Sequence, residues 1–189
     1  MHRRTTLAAL ASLTGVGLSG CLGGTTGAGS TPTPVDLGGT KADDQGGMVI
    51  GRHGGPNGQL FYANERPEGH DNPAWFHTLT HGLFPYYFRR RREGWEAVAI
   101  YVTDYSLFDY ELLREEGRTS MPAPTAPDTF GDGRAVTYVM ESDVRGGMGP
   151  ALIPFSDDGD ARAFVDDHGG RTVTFGEITP ELIAGYARR

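Results

Sequence analysis

The sequence is poor in positive charge and has almost no lysine. Its 189 residues include 17 basic and 24 acidic residues, a formal net charge of −7, and Lys41 is the only lysine. Without residues 1–20, which contain Arg3 and Arg4, 15 basic residues remain against 24 acidic ones, a net charge of −9. Nucleic-acid binding needs basic patches that neutralise phosphates, so this balance argues against that function. An acidic, lysine-poor surface also suits a high-salt setting.

The sequence also lacks the motifs of the common enzyme classes. It has no nucleophile motif, no phosphate-binding glycine loop and no metalloprotease helix. Its glycine-rich segments precede strand-like runs and contain no Lys-Ser or Lys-Thr pair. Since no catalytic constellation is present, we do not expect an enzyme.

Cysteine is limited to Cys21, and the residues before it form an export signal. Arg3-Arg4 is followed by a small, apolar run from Thr5 to Leu18, which is shorter than the roughly 20 residues of a membrane span. A charged start, a short apolar run and a small-residue cleavage site predict a signal peptide over residues 1–20. The paired arginines suggest the twin-arginine route, which carries folded cargo.

Cys21 stands where a lipoprotein signal places the residue that becomes the lipidated N-terminus. The alternative is a free thiol, but with Cys21 modified no thiol would remain for a disulfide, catalysis or a metal. We therefore expect an exported protein, lipid-anchored to the outer face of the cell membrane. Residues 21–45 contain little apolar surface to bury and predict a flexible tether.

The rest of the chain predicts an α+β fold of two similar strand-strand-helix-strand units. The first unit covers residues 46–104, residues 105–133 form a linker, and the second unit covers residues 134–189. Each unit is too small to hold a core alone, so the two should pack together.

Turn residues and apolar runs give the elements of each unit. In the first unit they predict a hairpin of residues 48–50 with 59–62, a helix that begins at Asn72-Pro73, and a strand at 97–102. In the second unit they predict strands at 136–140, 151–155 and 172–175, with helices at 160–167 and 180–186. The acidic pairs Asp43-Asp44 and Asp157-Asp158 predict solvated turns, the alternative being that they attract cations.

Two methionines on glycine-rich loops are candidate metal ligands. Met48 follows Gly46-Gly47, and a hundred residues later Met148 follows Gly146-Gly147, so each thioether has little side-chain bulk around it. The alternative is that each fills a gap in the core, as Met often does. Met140 lies in a β run and should be core, whereas Met121 precedes a proline and should be exposed.

Histidine could complete a site with these thioethers. His53 lies five residues beyond Met48, beside a turn, and is the first candidate for a third donor, the alternative being an exposed loop histidine. His77 and His81 are four residues apart and would share one face of the predicted helix. Such a pair can bind Zn or Cu, or it can simply lie on the helix surface.

With these residues placed, the chain resembles the NosL family over about residues 43–183. The resemblance rests on the order and spacing of several motifs, which are Gly47–Ile50, His53–Tyr62, Trp75-Phe76, Ile100–Asp104, Gly147–Pro150, Ile153–Phe155, His168–Gly170 and Phe175–Thr179. It implies a lipoprotein that binds monovalent copper for maturation of nitrous oxide reductase. It also implies two related ββαβ units, similar to the small domain of organomercurial lyase.

One position departs from the family pattern. The family usually has Cys-Gly-Met where this chain has Gly46-Gly47-Met48, and its copper is attributed to that Cys, that Met and the Met that corresponds to Met148. The two methionines carry over and the thiolate, the strongest soft donor for Cu(I), does not. The site is then weakened, completed by another donor, or lost.

We therefore expect a membrane-tethered Cu(I) metallochaperone. The resemblance implies Met48 and Met148 as its ligands, and His53 is the candidate third donor. The metallochaperone would deliver copper to the apo-enzyme of nitrous oxide reductase or to its assembly proteins. The alternative is a metal-free lipoprotein that acts as a scaffold or interaction protein of the same membrane-side assembly.

Overall fold

The computed structural model describes residues 31–115 and 117–189, and its elements are short. The predicted signal peptide, Cys21 and the first part of the predicted tether lie outside the described residues. The strands are β1 Gly58–Tyr62, β2 Ala74–Phe76, β3 Ala97–Thr103, β4 Leu113–Glu115, β5 Arg118–Ser120, β6 Phe130–Asp132, β7 Thr137–Met140, β8 Arg145–Gly146, β9 Gly149–Pro150, β10 Ile153–Phe155 and β11 Arg171–Thr174. The α-helices are α1 Phe84–Arg92, α2 Asp158–His168 and α3 Pro180–Tyr186.

The first unit is built around β1, which pairs antiparallel with both β2 and β3. The sheet order is β2-β1-β3-β6. All five residues of β1 are buried because both of its faces are covered. Leu60 points into the main core, while the side chain of Gln59 exchanges hydrogen bonds with the backbone of Val35 at 2.9 and 2.8 Å.

The predicted hairpin of residues 48–50 with 59–62 is wrong. Val49 instead forms an isolated bridge with Ala42, and the second strand of the unit is β2. In β2, Ala74 and Phe76 are buried and Trp75 between them is half-buried. Burial thus alternates from residue to residue, as in a strand and not as in a helix.

The predicted helix start at Asn72-Pro73 is also wrong, because the side chain of Asn72 bonds the backbone of Tyr62 instead of capping a helix. A π-helical turn over Leu79–Leu83 leads into α1, which carries Pro85 in its first turn.

The second unit follows the predicted order of strand, strand, helix and strand. Its first strand, β7, is central and pairs antiparallel with β10 and β11. Helix α2 begins earlier than predicted because the side chain of Asp157 accepts hydrogen bonds from the amides of Gly159 and Asp160. In both units the first strand is therefore flanked by the second and the third, and the predicted α+β class is confirmed.

One hydrophobic core joins the two units. It contains residues from β1, β3 and α1 together with residues from β7, β11 and α3. At its centre the rings of Phe84 and Tyr138 lie 5.8 Å apart, one from each unit. Helices α1 and α3 both contribute side chains to this core, so the two units pack together.

The part of the predicted tether that the structure describes is packed against the first sheet. The Tyr101 hydroxyl donates to the carbonyl of Pro32, and Leu37 is buried with its amide bonded to the carbonyl of Thr125 at 2.9 Å. Leu37, Ile50 and Phe130 form a small apolar cluster there. The tether boundary at residue 45 is therefore wrong, because a few apolar side chains in this polar segment find partners on the sheet.

The predicted linker is likewise part of the fold. Leu113–Glu115 and Arg118–Ser120 form β4 and β5, and β6 closes the edge of the first sheet. Met121, predicted to be exposed, is fully buried, whereas Met140 is in the core as expected. Strands of three residues are too short to show a period in the sequence. Among the described residues, no helix is long and apolar enough to cross a membrane.

Buried tyrosines predict a loss of stability at alkaline pH. Burial raises the pKa of Tyr62, Tyr105 and Tyr138 well above the ordinary value of about 10. A raised folded-state pKa stabilises the protein below the unfolded pKa, and this stabilisation is lost as pH rises toward the folded value. Above about pH 10 the free energy of unfolding should fall by about 1.4 kcal/mol per pH unit for each such tyrosine.

Urea unfolding at several pH values between 8 and about 12, with tyrosinate absorbance followed in parallel, measures this slope. Tyr105→Phe should reduce the slope by about one tyrosine's share. A free energy of unfolding that stays constant through the tyrosine titration would contradict the prediction.

Candidate metal centre

Met148 lies at the tip of a tight hairpin in the second unit. Strands β8 and β9 pair Arg145 with Pro150 and Gly146 with Gly149, so Gly147 and Met148 form the two-residue turn. Gly149 has a φ of +116°, which a residue with a side chain rarely adopts. The hairpin belongs to a four-stranded sheet of order β4-β5-β8-β9, and the side chain of Met148 is 47% exposed. The turn thus presents its thioether to solvent.

The loop that carries His53 packs directly on this hairpin. A Cβ atom on Gly147 would lie 2.5 Å from the carbonyl oxygen of Gly54 and 3.2 Å from the Cβ of His53. A Cβ on Gly146 would lie 2.7 Å from the carbonyl oxygen of Gly55. Only glycine lets the two backbones approach so closely, and the approach places His53 next to the residue that precedes Met148.

His53 and Met148 line the same cleft, which we call the Met148 cleft. It has a volume of about 580 Å³ and lies between the loop of residues 51–54, strands β4 and β5, and the β8–β9 hairpin. Its charged side chains are Arg52, Glu115, Arg118 and Arg145, and its side chains with soft or imidazole metal donors are Met148 and His53. Met48 does not line the cleft, so the structure brings together two of the three predicted ligands.

Met48 lies instead on a separate turn, which the buried carboxylate of Asp43 organises. Asp43 Oδ1 accepts hydrogen bonds from the amides of Gln45 and Gly46 at 2.7 and 2.8 Å. Its backbone amide donates to the carbonyl of Met48 at 2.8 Å. The turn precedes β1, whereas Met148 lies between the first two strands of its unit, so the two Gly-Gly-Met sequences are not equivalent positions of a repeat.

The other oxygen of Asp43 fixes the turn to the start of the helical segment. Oδ2 accepts from the backbone amide of His77 at 2.8 Å and from its Nδ1 at 2.6 Å. Burial by itself raises the pKa of Asp43, but the hydrogen bonds from His77, Gly46 and Gln45 together lower it below its usual value. The carboxylate is therefore ionised and His77 Nδ1 carries the proton. The prediction that this acidic turn is solvated is wrong for Asp43.

Asp44 ties the same turn to β2. Its Oδ2 accepts from the amide of Trp75 at 2.8 Å, and its Oδ1 lies 2.9 Å from Nε2 of His70. The His70 ring stacks on Trp75 at 3.8 Å. Burial raises the pKa of Asp44, and the bonds from Trp75 and His70 offset only part of that rise. His70 therefore serves the packing of this turn.

The histidine pair does not form the predicted face. His77 precedes the helical segment and is buried against Asp43, while His81 lies in the π-helical turn with Nε2 3.3 Å from the carbonyl of Ala187. The pair is separated because residues 74–76 form a strand. In residues 31–115 and 117–189, no three His, Cys, Asp or Glu side chains gather as a metal site. A metal in the cleft would depend on thioether and imidazole donors, which suit soft ions such as Cu(I).

Sequence reasoning missed the arginines of the cleft. Arg52, Arg118 and Arg145 come from three separated segments that only the fold brings together. Arg145 is paired with Pro150 in the hairpin, and one of its guanidinium nitrogens would lie 3.8 Å from a Cβ on Gly149. Arg145 directly precedes Gly146-Gly147 and Arg52 precedes His53-Gly54-Gly55, but nothing in the sequence indicates that these segments share a cleft.

The fold and the cleft together define an α+β protein with a cleft that is lined by both a thioether and an imidazole. The family model NosL matches residues 34–183, and the chain belongs to the NosL family. The predicted resemblance is thereby confirmed.

The solved structures that are similar to the chain include two of NosL proteins. The crystal structure of the copper chaperone NosL from Shewanella denitrificans is 25% identical, with a TM-score of 0.62, over 81% of this chain and 99% of that one. The solution NMR structure of apo-NosL from Achromobacter cycloclastes is also 25% identical, with a TM-score of 0.39, over 67% of this chain and 87% of that one. Among curated protein sequences, none is similar enough to count as a match.

Proposed function

We propose that this protein is a Cu(I) chaperone that carries its ion in the Met148 cleft. The observation that carries the proposal is the exposed thioether of Met148 at a hairpin tip, in one cleft with His53, in a member of the NosL family. Copper is cargo here, so the site has to release the ion as well as bind it.

The donor set fits a labile site. Cu(I) favours soft thioether and thiolate ligands and accepts imidazole. Met148 and His53 supply two neutral donors, and without a cysteine at position 46 the chain offers no thiolate beside Met48. Neutral donors bind Cu(I) more weakly than a thiolate does, which favours transfer to a better site. Met48, on the turn held by Asp43, is the proposed third donor and would have to reach the cleft from outside its lining.

We place the chaperone on the outer face of the cell membrane. A lipid on Cys21 would anchor it, and the segment up to about residue 30 would separate the anchor from the folded domain. The proposed recipient is the apo-enzyme of nitrous oxide reductase or one of its assembly proteins, which would take copper by ligand exchange. The proposal does not include catalysis.

A metal-free scaffold or interaction protein of the same assembly is the second candidate. Two observations favour it: Gly46 stands where the family has a cysteine, and Met48 is not among the residues of the Met148 cleft. A protein that kept the fold and lost the thiolate would still present the same surface to its partners.

A competitive Cu(I) titration of residues 21–189 carrying Cys21→Ser tests the copper function without any thiol. Met148→Leu keeps the shape and removes the sulfur, and should lower the affinity at least about tenfold, or about 1.4 kcal/mol. His53→Ala and Met48→Leu should also lower it if both are ligands. Leu107→Ala is the matched control, because Leu107 is 49% exposed and lines a different pocket.

Uptake by the parent that falls in Met148→Leu and not in Leu107→Ala supports the chaperone. Loss in Met148→Leu with no change in Met48→Leu would remove Met48 from the ligand set. A parent that takes up no Cu(I) above background would reject copper binding by the isolated chain and favour the scaffold, and equal uptake by the parent and Met148→Leu would remove Met148 from the ligand set.

A further inference from the structure

Three arginines surround the Met148 cleft and reverse the charge of the protein locally. Arg52, Arg118 and Arg145 line the cleft, and among the described residues Glu115 is the only acidic one that does. All three arginines are exposed, and none forms an ion pair with another described residue. Because the whole chain has a formal net charge of −7, a site with three guanidinium groups and one carboxylate is unusual for this protein.

The same cleft exposes apolar surface. Val98, Leu107, Leu113 and Met148 are the large apolar residues that are exposed in the described part of the chain, and Leu113 and Met148 both line the cleft. Leu113 lies on β4, the outer strand of its sheet, and all three residues of β4 are exposed. An apolar centre within a charged rim is the usual composition of a protein interface.

We propose that the Met148 cleft is the docking surface for an acidic segment of a partner protein, recognised by Arg52, Arg118 and Arg145. The carboxylates of that segment would pair with the guanidinium groups, while its apolar side chains would contact Leu113 and Met148. The inference rests on the proposed function in naming this partner as the protein that exchanges copper with the cleft.

The charge of the cargo supports an acidic partner. A Cu(I) ion held by thioether and imidazole keeps its full positive charge, and the three guanidinium groups lie around the same cleft. Their mutual repulsion raises the free energy of the loaded chaperone, and arriving carboxylates would lower it in the docked complex. Charge pairs of this kind also accelerate association and select the partner.

The shape of the site favours a protein segment over an anionic membrane. The arginines line a concave cleft of about 580 Å³, which a chain of a few residues can enter and a flat headgroup layer cannot. The free edge of β4 can add hydrogen bonds to an extended segment, as sheet edges do in peptide recognition. The negative charge of the rest of the protein would oppose approach to an anionic membrane.

The test measures binding of a short fluorescent peptide of glutamates and methionines to residues 21–189 carrying Cys21→Ser, without metal, by anisotropy. A triple variant with Arg52, Arg118 and Arg145 changed to Gln should bind at least about tenfold more weakly, and binding by the parent should weaken with salt. The matched control changes Arg91, Arg92 and Arg188 to Gln, three exposed arginines outside the cleft, with the same change in net charge. It should stay within about twofold of the parent.

Two arms separate the alternatives. A second peptide with glutamine in place of glutamate should not bind, which assigns the recognition to carboxylates. The parent and the cleft triple variant should bind equally weakly to vesicles that contain anionic phosphatidylglycerol, because the cleft arginines should not recognise a membrane. No binding by the parent, equal losses in both triple variants, or arginine-dependent binding to vesicles alone would each overturn the docking proposal.

The Cu(I) titration is run on the parent and on the cleft triple variant without peptide. A parent that binds the peptide through its arginines and takes up no copper refutes the proposed function and leaves the docking surface standing. A parent that takes up copper and does not bind the peptide refutes the docking surface and leaves the proposed copper function standing.

Discussion

Replacement of Gly46 by cysteine is expected to raise the affinity for Cu(I) at least about a hundredfold, or about 2.7 kcal/mol. The substitution creates the Cys-Gly-Met sequence that the resemblance implies for the family, and it adds an anionic thiolate two residues before Met48. A thiolate offsets the charge of Cu(I), which the thioether and imidazole donors of this chain do not. The gain should come with slower release of the ion to a competing chelator.

The structure has room for this cysteine. Gly46 is exposed, and the nearest atom to a Cβ added there is Asp43 Oδ1, at 3.9 Å. Its φ lies outside the left-handed region, whereas Gly47 has a φ of +72° and needs to remain glycine. The substitution therefore changes the donor set without straining the turn.

Competitive Cu(I) titration of Gly46→Cys in the Cys21→Ser background measures the gain. Gly176→Cys is the control, because Gly176 is also exposed with open space around it and adds a lone thiol far along the chain from Met48. Its gain should be much smaller. Equal gains in the two variants would show that any free thiol suffices, and would remove the turn of Met48 from the copper site.

The sequence predicted the second unit better than the first. In the second unit, apolar runs bounded by turns correspond to β7, β10, α2 and β11, and the side chain of Asp157 caps α2. In the first unit the second strand, β2, has three residues and follows a loop held by Asn72, so the apolar residues beyond it suggested one long helix. Three residues are too few to show the alternation of a strand in the sequence. Residues 74–76 form a strand because they pair antiparallel with β1.

The candidate site was predictable in part, for a physical reason. Met148 stands out because Gly-Gly-Met-Gly-Pro is turn chemistry, and the structure makes it a hairpin tip. Met48 looked equivalent because the local sequence is the same, but the turn of Met48 lies before the first strand of its unit. The arginines of the cleft could not be predicted, since their proximity depends on the parallel pairing of β5 with β8.

The stabilising role of Asp43 could not be predicted from the sequence either. Asp43→Ala should lower the free energy of unfolding by about 4 kcal/mol out of a total near 10 kcal/mol. In the sequence, Asp43-Asp44 looks like a solvated turn. In the structure the carboxylate accepts four hydrogen bonds, from the amides of Gln45, Gly46 and His77 and from His77 Nδ1. Alanine would leave these donors without a partner, two of them buried, and each unpaired buried donor costs about 1 to 3 kcal/mol.

Urea unfolding of Asp43→Ala, with Asp166→Ala as the control, measures this loss. Asp166 is exposed on α2, and its replacement should change the free energy of unfolding by no more than about 0.5 kcal/mol. Because Asp43 also holds the turn of Met48, Asp43→Ala should weaken Cu(I) binding under conditions where it is still folded, provided that Met48 is a ligand. A large loss of stability with unchanged copper affinity would separate the two roles, leaving Asp43 to the fold and Met148 with His53 to the ion.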